Sequence, residues 1–449
     1  MTSLRSAEGS VGGQGLRAFL VIWLGQVISI IGSGLTGFAL GVWMFEETGQ
    51  ATPFAMTVLF ATLPRLLLAP VAGSLADRWN RRWIMVLADT GSALVTLGAI
   101  ALVMTDRIEV WHVYGIALLG AICSSLQEPA YLASIAVLVP HEHLGRANGM
   151  VQAAQAIDML LSPMLAGALF GVVGMRGIFL IDIATYVIAV GSLLVVAIPQ
   201  PQRTTSVDDP EDKWQDLTYG WRYLWARPGL FGMLIYFALV NFFLGTIGAL
   251  SGPLVLSFAE PVVLGTVQMA SGVGMLLGSV VISAWGGPRR RITGVVGAIA
   301  AASVGILVMG LRPSGVGVGA GMALFLFFIP IASGCSQAIF QTKVPLNAQG
   351  RVFAARSMIS GSMMPIAYLL TGPLADRVFE PRLQPGAPWA DGWIGRLMGV
   401  GAGRGIGFMF VIAGVFLMTA SLLAWTHPRI RHLEAELPDV EASVTAPVA

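Results

Sequence analysis

Three ionisable side chains stand where an apolar stretch should hold none. Arg65, Glu128 and Asp158 each lie near the middle of a long, mostly apolar run. Holding such a group inside a bilayer costs ~2.5–3.5 kcal/mol on insertion scales, so these residues are functional candidates by default. The chemistry open to them is proton exchange. A carboxyl takes up or gives up a proton as its surroundings change, and a nearby guanidinium sets how readily it does so. The bland alternative is a static ion pair of Arg65 with Glu128 or Asp158. Two acids for one arginine favour at least one that titrates. A stripe of polar residues accompanies Asp158: Asn148, Gln152, Gln155, Asp158 and Ser162 fall on about a third of a helix circumference. Gln26, Ser29, Ser33 and Thr36 form a thinner stripe. Polar stripes on apolar helices must face protein or water, not lipid. Asp89 and Asp182 lie nearer the ends of their runs and read as helix-end or packing residues.

These residues need elements to hold them, and the composition says which kind. The chain has 449 residues, of which 55% are hydrophobic and only 11% charged. Mean hydropathy is +0.77. Ordinary soluble domains carry about 25% charged residues, so most of this chain is built for lipid. A spanning helix needs about 20 apolar residues. Twelve runs qualify: 18–45, 53–76, 83–104, 110–139, 147–173, 178–198, 230–258, 262–285, 292–311, 316–340, 352–375 and 405–425. The first is too long for a signal peptide and reads as a retained span.

The net charge of +2 names no partner, and the basic residues sit in short loops, which argues against nucleic acid. Cys123 and Cys335 each fall inside an apolar run and give no metal or disulfide spacing. No metal site and no cofactor are expected. Most of the 26 Lys and Arg lie on one side of the twelve runs, which puts both termini in the cytoplasm. The predicted organisation is a tail 1–17, a first bundle 18–198, a linker 199–229, a second bundle 230–425 and a tail 426–449. In the linker, Trp214, Leu217, Trp221, Leu224 and Trp225 share one face, which predicts an amphipathic helix at the headgroup level or packed on the bundle. The second bundle offers Asn241 and Gln337 among many Phe and Met, a cavity wall suited to an amphipathic solute. Arg351 and Arg356 stand at the start of its fifth span, where they could attract an anion.

The halves are related. "VPHEHLGRANG" from Val139 answers "VPLNAQGRVFA" from Val344, and at the same offset Gly167 matches Gly372 and Leu169 matches Leu374. Six spans repeated in parallel give two bundles about a pseudo-twofold axis along the membrane normal.

Between the second and third spans lies "GSLADRWNRR", four charges in ten residues. It resembles the signature loop of the major facilitator superfamily, through Gly73, Leu75, Ala76, Asp77, Arg78, Arg81 and Arg82, with Asn80 in place of the usual glycine. "LPRLLLAPVAGSLADR", "VPHEHLGRANGMVQ" and "GPLADRVFEP" resemble the branch that holds macrolide-efflux proteins and the enterobactin exporter. "SPMLAGAL" is similar to the Gly-Pro antiporter motif, with Ser162 for Gly.

The resemblance implies an all-α membrane protein with twelve transmembrane helices in two six-helix bundles, the major facilitator fold. It implies a transporter and no enzyme, monomeric, in the inner (cytoplasmic) membrane. It implies a gating loop of Gly73, Asp77, Arg78, Arg81 and Arg82 that latches to neighbouring helices. The expected function is secondary export of an amphipathic small molecule, whether a macrolide-like drug, a siderophore or a nonribosomal peptide, by proton antiport. Proton-coupling candidates are Glu128, Asp158 and Arg65; cavity candidates are Gln26, Ser33, Gln152, Gln155, Asn241 and Gln337. A proton-independent facilitator or lysolipid translocator, and a receptor built on a transporter fold, are the rival expectations. No nucleotide-binding loop is present: "GVGAGRGIG" at 399–407 precedes a spanning run with no strand before it.

Overall fold

The computed structural model describes residues 2–140, 143–196 and 219–436, with the side chains of 2–14, 70, 77, 78, 136, 145, 346, 347, 350 and 354 outside the description. The described residues are all-helical, and eleven helical runs are long and apolar enough to cross a membrane. The runs are α1 (Thr2–Thr48), α2 (Ala51–Arg78), α3 (Arg81–Met104), α4 (Val110–Leu138) and α5 (Leu144–Val195). After a short helix α6, described over 219–225, come α7 (Pro228–Leu256), α8 (Pro261–Trp285), α9 (Arg291–Leu311), α10 (Gly315–Lys343) and α11 (Leu346–Leu374). The short α12 (Trp393–Met398) precedes the last long helix, α13 (Arg404–Thr426).

α5 holds 52 residues, far more than one crossing can use. It is two spans joined at Gly174, whose φ of 63° and ψ of −175° break the helix. A left-handed φ is open to glycine at little steric cost. The fifth and sixth predicted runs are its two legs.

Helix starts follow local chemistry. Asn80, which replaces the signature glycine, is the N-cap of α3: its side chain accepts from the Trp83 N–H at 3.3 Å. An N-cap amide satisfies one of the orphan donors at a helix start, which gives the departure a structural reason. Glu109 and His112 close a capping box on α4. Glu380 caps α13 from outside, accepting from the N–H groups of Gly403 at 3.1 Å and Ile406 at 2.9 Å.

The chain forms two compact units, Met1–Thr205 with Glu260–Met269, and Ser206–Ala259 with Ala270–Ala449. In the first unit α1 lies along α5, α2 along α4, and α3 against both α4 and α5. Its core is layered. One apolar cluster takes Phe19 and Ile22 from α1, Ile84 to Val86 from α3, Ile135 from α4, and Val151 and Leu193 from the two legs of α5. The other takes Leu35 to Met44, Ala99 to Val103, Val113, Ala166 and Ile178 from the same helices. Polar residues of these helices, among them Gln26, Ser33, Asp89, Ser92, Glu128 and Asp158, lie between the two apolar layers. In the second unit α9 packs on α10 and α13, and α7 on α11 and α13. Gly305 and Gly321 meet there backbone to backbone, since a Cβ on either would lie within 2.5 Å of the other's carbonyl oxygen. Such small-residue contacts are how helices associate where no hydrophobic force drives them.

In α6, Tyr223 and Leu224 are buried while Trp221 and Trp225 stay exposed. Trp214 and Leu217 lie outside the described residues.

Candidate functional site

Between the two apolar layers of the first unit lies a cavity of about 550 Å³, lined by residues of α1 to α5. Gln26, Ser33, Gln155, Arg65, Glu128 and Asp158, all singled out in the sequence, line it together. Gln152 and Asn148 do not; both are exposed elsewhere on α5. A second cavity of about 300 Å³ adjoins the first, sharing Ser33, Arg65, Ser92, Ser124 and Tyr186, and adds Thr36, Thr96 and Asp182.

The α1 stripe is satisfied by acids that the sequence reading set aside. Gln26 is 2% exposed and donates to Asp89 Oδ2 at 3.0 Å. Its own carbonyl oxygen accepts from Gln127 Nε2 at 2.5 Å. Thr36 and Thr96 both donate to Asp182 Oδ2, at 2.8 and 3.1 Å, while Asp182 Oδ1 is buried with no hydrogen-bond partner. Ser33 Oγ and the Tyr186 hydroxyl share a hydrogen bond of 2.9 Å. Asp89 and Asp182 are therefore not helix-end residues. They sit in the polar layer, 5% and 1% exposed, and line the cavities. They face inward because α1 offers amide and hydroxyl donors there and lipid offers none.

Asp158 Oδ1 accepts from Ser162 Oγ at 2.6 Å, one helical turn on. Ser162, the residue that departs from the antiporter motif, is thus the hydrogen-bond partner of the motif's neighbouring acid. Among the described residues, no ion pair within 4.0 Å joins Arg65 to Glu128 or Asp158, although a pair of that kind links Arg176 and Asp106 at 3.0 Å. The static-pair alternative is not the observed geometry. Arg65 is exposed towards both cavities.

In the second unit a cavity of about 450 Å³ brings together Asn241 and Gln337 with Arg356.

Of the signature loop, Arg81 and Arg82 act as staples. Arg81 donates to Ala133 O of α4 at 2.9 Å, and Arg82 to Leu193 O at 2.8 Å and to Leu194 O at the end of α5. The carbonyls of Leu193 and Leu194 lie in the last turn of α5, where intrahelical partners are missing, and Arg82 supplies them. A Cβ on Gly73 would meet nothing within 4 Å, so packing places no demand on that glycine. The side chains of Asp77 and Arg78 lie outside the described residues.

The sequence profile of the Major Facilitator Superfamily matches residues 22–368. The chain belongs to this superfamily. The transporter is 29% identical to macrolide efflux protein A of Streptococcus pyogenes over 371 residues, covering 80% of this chain and 90% of the relative. It is 22% identical over 368 residues to the multidrug efflux pump Tap of Mycolicibacterium fortuitum, covering 80% and 89%. With the enterobactin exporter of Shigella flexneri it shares 26% over 218 residues, about half of each chain. Among solved structures, a bacterial homologue of the human lysosomal transporter Spinster matches with a TM-score of 0.69 at 14% identity, covering 97% of this chain and 99% of that one. A nucleoside transporter matches at 0.66 and 13%, covering 90% and 99%. The transporter is thus an all-helical, multi-pass membrane protein of a transporter family, and not an enzyme.

Proposed function

We propose that the chain is a secondary exporter of amphipathic small molecules, a macrolide-like drug, siderophore or nonribosomal peptide, driven by proton antiport with alternating access. One observation carries the reading: three carboxylates, Asp89, Glu128 and Asp158, line a single mid-depth cavity with Arg65 as its cation. A group of that kind can hold a varying number of protons as access changes, which antiport requires. The drug-efflux and siderophore-exporting relatives support the direction and the solute class. The distribution of Lys and Arg supports cytoplasmic termini. Everted vesicles test the reading. With the lumen acid, wild-type vesicles should accumulate a radiolabelled macrolide or a catechol siderophore, and lose it on addition of a protonophore. Uptake that only equilibrates the solute across the membrane, with no accumulation and no effect of the protonophore, would leave the facilitator reading in its place.

The signature loop gives a second expected result. Asp77 stands at the C-terminal end of α2, where the helix dipole disfavours an anion. Its charge is useful if it biases one access state against the other, because only a differential contact shifts an equilibrium. Asp77→Asn should therefore leave thermal stability near wild type and slow transport about tenfold, the effect of losing about 1.4 kcal/mol of bias. Wild-type transport by the purified variant would show that the loop only anchors the chain.

A further inference from the structure

The charge in the second unit's cavity is of the opposite sign to the acids of the first unit. Arg356 lines that cavity, half-buried, and its guanidinium is held from several directions. Nη1 donates to Gln337 Oε1 at 3.0 Å and Nη2 to Ser336 Oγ at 3.0 Å. The ring of Phe340 lies 4.5 Å from the guanidinium carbon and that of Phe237 5.6 Å. All four partners are neutral. Among the described residues, no carboxylate lies within ion-pair distance of Arg356.

An arginine seated this way is unusual in its cost. A cation withdrawn from water needs an opposite charge or a full set of acceptors. Arg356 has five N–H donors to satisfy, and the bonds described above occupy two. The wall beside it holds further unused polar capacity: Ser360 Oγ is buried with no hydrogen-bond partner. The Asn241 side-chain NH₂ is turned onto the Phe237 carbonyl at 2.8 Å. Aromatic faces on the guanidinium fix its plane without neutralising it. The result is a preoriented donor fork on the wall of an otherwise mostly neutral pocket.

We propose that this pocket is a subsite for an anionic oxygen group, a carboxylate or a catecholate, carried by the amphipathic solute. The inference rests on the export reading above for the solute, and adds which end of it the second unit recognises. Guanidinium–carboxylate bonds are charge-assisted, about twice as strong as neutral ones, and planar enough to be bidentate. Phe237 and Phe353 supply the apolar wall for the body of the solute. Gln337 keeps the fork in place without competing for its charge.

A matched pair of fluorescent probes tests this in lipid nanodiscs, with empty nanodiscs as the blank. N-dansyl-phenylalanine carries a carboxylate; its primary amide is the same body without charge. Wild type should bind the carboxylate at least about tenfold more tightly than the amide. Arg356→Gln should bring the two within about twofold by weakening the carboxylate alone. Gln337→Glu leaves the arginine in place but sets a competing carboxylate beside Nη1, and it should also remove the preference. That second variant decides the question if Arg356→Gln does not fold. Equal binding of the two probes by wild type, or a preference that survives both substitutions, overturns the inference. Binding of neither probe overturns it together with the amphipathic-cavity reading. Failure of protonophore-sensitive export with the carboxylate preference intact would remove only the coupling.

Discussion

Asp158→Asn or Glu128→Gln is expected to abolish uphill export while downhill exchange continues. The argument starts from the gradient. One pH unit is worth about 1.4 kcal/mol per proton, enough to hold a substrate at about a tenfold gradient in one-for-one exchange. A variant whose coupling acid no longer titrates loses that work entirely, so its accumulation ratio falls to unity. The cavity still binds, and the units still alternate, so counterflow of labelled for unlabelled substrate persists. The geometry makes the two substitutions mild in other respects. An Asn at 158 retains an acceptor for the Ser162 hydroxyl, which now reaches Asp158 Oδ1 at 2.6 Å. Neither substitution breaks an ion pair with Arg65, since none is present, so the loss of several kcal/mol that follows removal of one partner of a buried pair is not expected. Thermal unfolding within a few degrees of wild type, together with lost accumulation, is the expected pair of results. Full proton-driven accumulation by both variants would remove Glu128 and Asp158 as coupling sites and turn attention to Asp89 and Asp182.

Gly34→Leu should disrupt the transporter as thoroughly by a different route. A Cβ at Gly34 would lie 2.6 Å from Asp158 Oδ1 and 2.6 Å from Ser162 Cβ, closer than real Cβ contacts come. α1 must lie directly on the Asp158–Ser162 turn of α5, and only a missing side chain permits it. Overpacking a well-packed contact costs about 1–3 kcal/mol, and a whole isobutyl group reaches the upper end. Separating α1 from α5 would also pull apart the polar layer that those helices share. Gly34→Ala should lower the unfolding temperature by a few degrees and slow export; Gly34→Leu should lose both fold yield and transport. Gly37 is the internal control. It lies on the same helix, and a Cβ there would meet nothing within 4 Å. Alanine at 34 and at 37 giving the same unfolding temperature would show that the close approach is not required.

Much of this arrangement was legible in the sequence, because lipid imposes simple rules. A run of about 20 apolar residues needs no partner to declare itself a span, and a mid-run charge or stripe of amides has to face inward. That logic brought Gln26, Ser33, Arg65, Glu128, Gln155 and Asp158 to one cavity. It missed Asp89 and Asp182, which were judged by their position along single helices. The signal was present: Asp89, Ser92 and Thr96 lie at i, i+3 and i+7, and Asp182, Thr185 and Tyr186 at i, i+3 and i+4. These are inward-facing stripes like that of α1, and all six residues are buried. Their match to Gln26 and Thr36 belongs to the packing of three helices, which no single run contains. Gln152 failed for the converse reason. It shares the α5 polar stripe, but the cavity is lined by Val151, Ala154, Gln155 and Asp158, at i, i+3, i+4 and i+7, and Gln152 lies off that face. The role of Asn80 as an N-cap, and the reach of Arg81 and Arg82 to carbonyls far away in the chain, likewise depend on which helix ends meet.

The central claim is that substrate movement and proton movement are one process. The direct measurement is proton flux set off by substrate. Proteoliposomes carrying the purified chain and a luminal pH dye are held acid inside, and a macrolide or catechol siderophore is added outside. The account predicts that wild type alkalinises the lumen as substrate enters, and that the Glu128→Gln, Asp158→Asn double variant does not. Substrate entering wild-type vesicles with the luminal pH unchanged would contradict it.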